Sequence, residues 1–406
     1  MKFQVKHTAL LFLALSSAVF STSALAAVWK PTRSWDAGWE KNYREWVAKE
    51  WSRDFFTKPG TAYTGLSLDC ADTVYSMRVI FSYENGLPFS MRDPSNPKRV
   101  ITNEMARFDT LPAQKRIRKF LELIYEVGST HSLPMDTYPI AIGSDTVTAG
   151  TLILTDKANH HSWTIQSLSS YGQPHLVYSS RPAKNRILER STWPTSPEWV
   201  FAAGLNPELT DAGIRAFRHP EDVMKPVWEV PGYSKEQYEI PLRNFFKTVR
   251  DRIASSEEPL LDRFKALYVD ACAGATERVE AVDEGADLNS KLGATCMDAQ
   301  QYDDFSTPGR DARLKDALNE VESVSAMYLN TDSGVLTSST GRASTLSAAG
   351  VTECKVTWAP GKSISLSQLY ARMKASSVSS NPNESKEVRW GESTSSSEKA
   401  RRCPKY

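Results

Sequence analysis

The sequence predicts an α+β fold, and three observations carry that expectation. Aromatic and aliphatic residues recur at helical spacing over the first third of the chain. Short β-type runs separated by turn residues follow between about residues 150 and 180, and helical patterning dominates beyond about residue 208. The first two blocks form one unit of mixed helix and strand, and the third a mainly α-helical C-terminal region.

The elements read as follows. Residues 28–57 hold Trp29, Trp35, Trp39, Tyr43, Trp46, Trp51, Phe55 and Phe56. Positions 35, 39, 43 and 46 share one helical face, while Glu40, Lys41, Arg44 and Glu45 fill the other. This spacing predicts an amphipathic helix packed on a core in preference to an aromatic platform for carbohydrate. Lys58-Pro59-Gly60 breaks it. Asp69 then reads as an N-cap, residues 71–84 as a helix, and Asn85-Gly86-Leu87-Pro88 as its stop. Residues 89–110 read as loop and 112–127 as a second helix. Runs at 151–154, 162–166 and 176–178 read as strands. Further helices are expected near 208–217, 234–254, 257–275 and 311–328. The segment 376–400 is poor in apolar residues and reads as disordered or loosely attached.

The N-terminus carries an export signal. Lys2 and Lys6 precede an uncharged apolar stretch over 9–20, and Ser23-Ala24-Leu25-Ala26 supplies a small-residue cleavage site. The expected signal peptide is 1–26, cut near Ala26, with a bacterial periplasmic or secreted destination. Its apolar core is shorter than a membrane span, and no later stretch is long and apolar enough to hold the mature chain in a bilayer. The expected units are therefore the signal, a catalytic unit over 27–190, a helical unit over 191–345 and a Ser-rich tail over 346–406. A net charge of +1 argues against nucleic acid as a partner. The basic run Lys115, Arg116, Arg118 and Lys119 reads as the solvated face of a helix.

Export gives the five cysteines meaning. Cys272, Cys296, Cys354 and Cys403 lie in the C-terminal third and suggest two disulfides, with proximity favouring Cys272–Cys296 and Cys354–Cys403. Cys70 is left over. It stands at a helix start, where backbone N–H groups and the helix dipole favour thiolate and can hold an oxyanion. A thiol nucleophile needs a base. His160, His161 and His175 cluster on the β-type stretch, whereas His131 and His219 stand apart. Two antiparallel strands joined at Tyr171-Gly172-Gln173-Pro174 would set a histidine from each side by side, one as base and one as orienter. A zinc site is the weaker reading, because no HExxH or CxxC pattern supports it. No metal or cofactor is expected.

These residues resemble the NlpC/P60 cysteine peptidases, which have a papain-like fold, over roughly residues 58–182. Gly60-Thr61-Ala62-Tyr63-Thr64-Gly65 stands before Asp69-Cys70-Ala71-Asp72, Gly86-Leu87-Pro88 ends the helix, and Gly150-Thr151-Leu152-Ile153-Leu154-Thr155 opens the strands. His161 and His175-Leu176-Val177-Tyr178-Ser179-Ser180 then follow in the family's order. The resemblance implies Cys70 as nucleophile, His161 as base and His175 as orienting residue. It places Tyr63 beside the sulfur and Asp69 at the substrate amine, with His160 competing for the base role. The implied reaction is amide hydrolysis through an acyl-enzyme, on peptidoglycan stem peptides or another peptide. Ala71-Asp72 departs from the family's Ser-Gly, which motivates an alternative: a non-catalytic exported interaction protein that keeps the fold. His161-Ser162-Trp163 also resembles the His-Ala-Trp of transglutaminase-like acyl transferases.

Overall fold

The computed structural model describes residues 27–156, 161–179, 188–191, 200–201 and 211–406. The expected signal peptide and His160 lie outside the described residues. The chain is α+β, as its patterning predicts.

The first unit begins with α1 (Ala37–Glu50), where the Asp36 carboxylate caps the first turn by accepting from the Trp39 N–H. Next comes α2 (Cys70–Glu84), opened by a capping box between Asp69 and Asp72. Gly86 ends this passage at φ 62°, and a Cβ there would meet Thr32 Oγ1 at 2.5 Å, so only glycine fits. The stretch expected as loop contains a hairpin, β1 (Ser90–Asp93) and β2 (Asn96–Thr102). Most of β2 is exposed, so it lacks the apolar alternation that marks a strand in sequence. Two helices follow, α3 (Ala113–Val127) and α4 (Leu133–Asp136).

The main sheet contains β3 (Thr137–Pro139), β4 (Leu152–Leu154), β5 (Ser162–Leu168), β6 (Pro174–Tyr178), β7 (Glu189–Ser191) and β8 (Gly213–Phe217). It is antiparallel throughout, in the order β3-β8-β4-β5-β6-β7. β8 replaces the helix expected near 208–217. Hydrogen-bonding partners on both sides, Pro139 and Leu152 opposite Arg215, override the local pattern. The expected boundary at 190 therefore cuts through the sheet unit, which runs on through α5 (Phe245–Ile253).

The two sheet faces bury different cores. Leu152, Leu154, Val177 and Phe217 pack with residues of α1, α2 and α3. Ile153, Trp163, Ile165, Leu176, Tyr178 and Ile214 pack with Phe245, Val249 and Ile253 of α5. Alternation along each strand produces this division.

The helical unit comprises α6 (Leu260–Leu292), α7 (Ala299–Phe305), α8 (Pro308–Leu329), α9 (Arg342–Ala348), the hairpin β9 (Lys355–Ala359) and β10 (Lys362–Ser365), α10 (Leu366–Lys374), α11 (Lys386–Arg389) and α12 (Glu398–Arg402). Phe264, Leu318 and Val321 share one core with Trp358, Leu369 and Trp390. The stretch expected as a loose tail is thus part of this unit. Segment 376–400 is held by polar contacts that hydropathy does not register. The buried Arg278 guanidinium pairs with Asp311 at 2.6 Å and donates to the carbonyls of Ser379 and Arg389.

The disulfides are Cys272–Cys354 and Cys296–Cys403, with Cα separations of 5.9 and 5.5 Å. Neither expected pairing occurs. Cys272 lies within α6 and Cys296 beyond its end, so the helix holds them roughly 30 Å apart at 1.5 Å per residue. The two units meet through Glu277 of α6, which pairs with Arg53 at 3.2 Å and accepts from the Arg190 N–H at 3.1 Å. Among the described residues, no helix is long and apolar enough to cross a membrane.

Candidate functional site

Cys70 is the first residue of α2, half-buried and outside both disulfides. The capping box fixes the backbone around it. Asp69 Oδ1 accepts from the Asp72 N–H at 2.8 Å, and Asp72 Oδ2 accepts from the Asp69 N–H at 2.9 Å. Two hydroxyls tie this turn to the sheet. Ser162, at the start of β5, donates to the Cys70 carbonyl at 3.1 Å, and Ser179, just after β6, donates to the Leu68 carbonyl at 2.6 Å. Both serines are fully buried. They lie on the same sheet face, each two residues beyond the Thr164–Val177 pair.

The thiol is pushed up to about 12. Burial is the main cause and the Asp69 charge the second; the Ser162 N–H and hydroxyl and the Ala71 N–H act in the opposite direction. The helix start therefore does not yield the lowered thiol pKa expected of it, because desolvation outweighs the local dipoles. Asp72 is also raised, to about 8, by burial and then by Asp69.

The other expected site residues lie on the sheet and on the chain leading into α2. The His161 ring packs edge-on against Trp163 and Tyr178, with centroids 4.3 and 5.3 Å away. Those two rings belong to the core on the α5 side. Its backbone is fixed by Thr155, whose N–H donates to the His161 carbonyl at 2.9 Å and whose hydroxyl accepts from the His161 N–H at 2.8 Å. The next residue, Ser162, is the one whose hydroxyl reaches the first turn of α2.

His175 is displaced along the other strand. It pairs with Ser167 near the turn, four residues or about 13 Å from Ser179. In an antiparallel hairpin, a histidine at the start of the first strand and one at the start of the second lie at opposite ends. His175 instead faces Asp270 of α6, whose carboxyl is raised by burial and held down in part by His175 and Arg190. Tyr63 does not lie beside the sulfur. Its hydroxyl donates to Glu84 at 3.1 Å, at the far end of α2, about 21 Å from Cys70 along the helix. Asp69 is in place, but its carboxylate serves as the helix cap.

Sequence reasoning missed Ser162, Ser179 and Tyr178. Their signal was register: the short turn fixes which residues of β5 and β6 meet, and that sets Tyr178, not His175, against His161. Elsewhere, ligand atoms of His219, Glu221 and Asp222 fall within 4.8 Å of one another. Lys225 occupies Asp222 at 2.6 Å and Glu40 holds His219 at 2.9 Å, so these charges are already matched within the protein. No protein-family model matches the chain, and no curated protein or solved structure matches it.

Proposed function

We propose that this protein is an exported, thiol-dependent amide hydrolase of NlpC/P60-like character, acting on peptides such as peptidoglycan stem peptides. One observation carries the reading: Cys70 is the first residue of α2, outside both disulfides, beside the backbone N–H groups of the opening turn, and Ser162 of β5 is bonded to its carbonyl. Donors fixed at a nucleophile can also stabilise the charge that develops on the attacked carbonyl oxygen. An antiparallel sheet packed against that helix supports a papain-like relationship. Two disulfides support an oxidising compartment.

In this reading Cys70 attacks the amide carbonyl as a base removes the thiol proton. The tetrahedral intermediate collapses to a thioester, and the same base returns the proton to the departing amine. Water then attacks the thioester, giving a carboxylic acid and restoring the thiol. Burial pushes the thiol up, so the base takes its proton as the attack proceeds. We assign the base role to His161, with His160 as the rival that the sequence offers.

The same raised thiol favours a second reading, a non-catalytic exported interaction protein. Hydrolysis of purified muropeptides separates the two. The proposal expects release of amine by the wild-type protein and its abolition in Cys70→Ala and in His161→Ala. Full activity in Cys70→Ala, or none in the wild-type protein, overturns it.

A further inference from the structure

A cleft of about 400 Å³ opens between the sheet unit and the helical unit, away from the thiol. Its walls come from β6, β7 and α5 on one side and from α6 and α8 on the other. Cations outnumber carboxylates in its lining: Arg190, Lys247, Arg250, Arg263, Arg310 and Arg313 against Asp270, Glu277, Asp316 and Glu320. Most of the acidic groups are already engaged. Glu320 pairs with Arg263 at 2.6 Å, and Glu277 pairs with Arg53 at 3.2 Å and Arg310 at 3.9 Å. Asp270 interacts with His175 and Arg190.

Two arginines on opposite walls are less fully compensated. Arg313 of α8 reaches the Tyr178 hydroxyl at 3.5 Å and lies 5.8 Å from that ring's centroid, with no carboxylate ion pair among the described residues. Arg250 of α5 has only loose carboxylate partners, Asp251 at 4.0 Å, itself held by Lys247 at 2.5 Å, and Glu258 through space. A guanidinium held in a cleft without a close carboxylate is a ready partner for a planar or tetrahedral oxyanion, which it grips through two parallel N–H groups. Apolar contributions from Phe246, Leu314 and Ala317 suit the carbon skeleton of an organic anion.

We propose that this cleft is a binding site for a small oxyanionic ligand, carboxylate or phosphate, held between Arg313 of the helical unit and Arg250 of the sheet unit. The site is independent of the hydrolase reading. It would also explain why the interface between the units is lined with charge.

Calorimetric titration of the full mature protein with citrate and, separately, with inorganic phosphate at low ionic strength tests this. The expected result is saturable binding of at least one probe, weakened about tenfold or more in Arg313→Ala and in Arg250→Ala, with partial recovery in Arg313→Lys. Citrate alone binding identifies a carboxylate ligand, and phosphate alone a phosphate ligand. Circular dichroism checks that each variant is folded, and Arg313→Lys and Arg250→Ala remain informative if Arg313→Ala is not. Binding of neither probe by the wild-type protein, or equal binding by the folded variants, overturns the proposal.

Discussion

The Ser162 hydroxyl donates to the carbonyl of Cys70 at 3.1 Å, joining the start of β5 to the first turn of α2. This bond fixes the phase of β5 against the helix that begins with the thiol. Replacing Ser162 by Ala removes this second hydrogen bond to the Cys70 carbonyl, at a cost of about 1 kcal/mol. It also removes one of the groups that favour thiolate at Cys70. Denaturant titration is expected to show the stability loss, and iodoacetamide alkylation followed against pH is expected to show an onset moved further upward.

Tyr63→Phe separates the two roles offered for that tyrosine. Its hydroxyl bonds Glu84 at the far end of α2, so its loss is expected to cost about 1 kcal/mol of stability. Amide hydrolysis per folded molecule is expected to be unchanged. A steady-state assay showing a large fall in turnover contradicts the placement.

Much of the fold was legible in the sequence, and the exceptions share a cause. The spacing of Trp35, Trp39 and Tyr43 and the Asp69 cap give α1 and α2 because both signals are local. Neither β8 nor the hold on segment 376–400 is local. β8 is a strand because β3 and β4 flank it, and 376–400 is ordered by Arg278, about a hundred residues earlier in the chain. The candidate site divides in the same way. Cys70 at a helix start is a local feature and was found, whereas the partners of His161 and His175 depend on hairpin register and were not.

The disulfide arrangement is directly testable. Proteolysis without reduction and mass spectrometry are expected to yield peptides joining Cys272 to Cys354 and Cys296 to Cys403. Cys272→Ser with Cys354→Ser opens a link across 82 residues, and the chain-entropy relation gives a loss of roughly 4.5 kcal/mol. A melting experiment on the double variant measures it.

Acid sensitivity is expected at Glu40. Burial works against its ionisation, but the Arg78 guanidinium and the hydrogen bond from His219 outweigh that and hold its carboxyl at about 2. A carboxyl whose folded pKa is lowered contributes stability that is present above its unfolded value near 4.5 and is lost as pH falls towards 2. Glu40→Gln is therefore expected to destabilise the protein at pH 7, with the difference from wild type shrinking between pH 4.5 and pH 2. Chemical denaturation across that range checks the slope.

The central claim is that Cys70 forms the bond to the substrate. Its most direct test is intact-mass spectrometry of the protein quenched in acid during incubation with muropeptides. The account predicts a mass increase equal to the acyl fragment, mapped to the peptide containing Cys70, discharged on further incubation and missing from Cys70→Ala. No adduct on the wild-type protein, or an adduct that persists in Cys70→Ala, contradicts it.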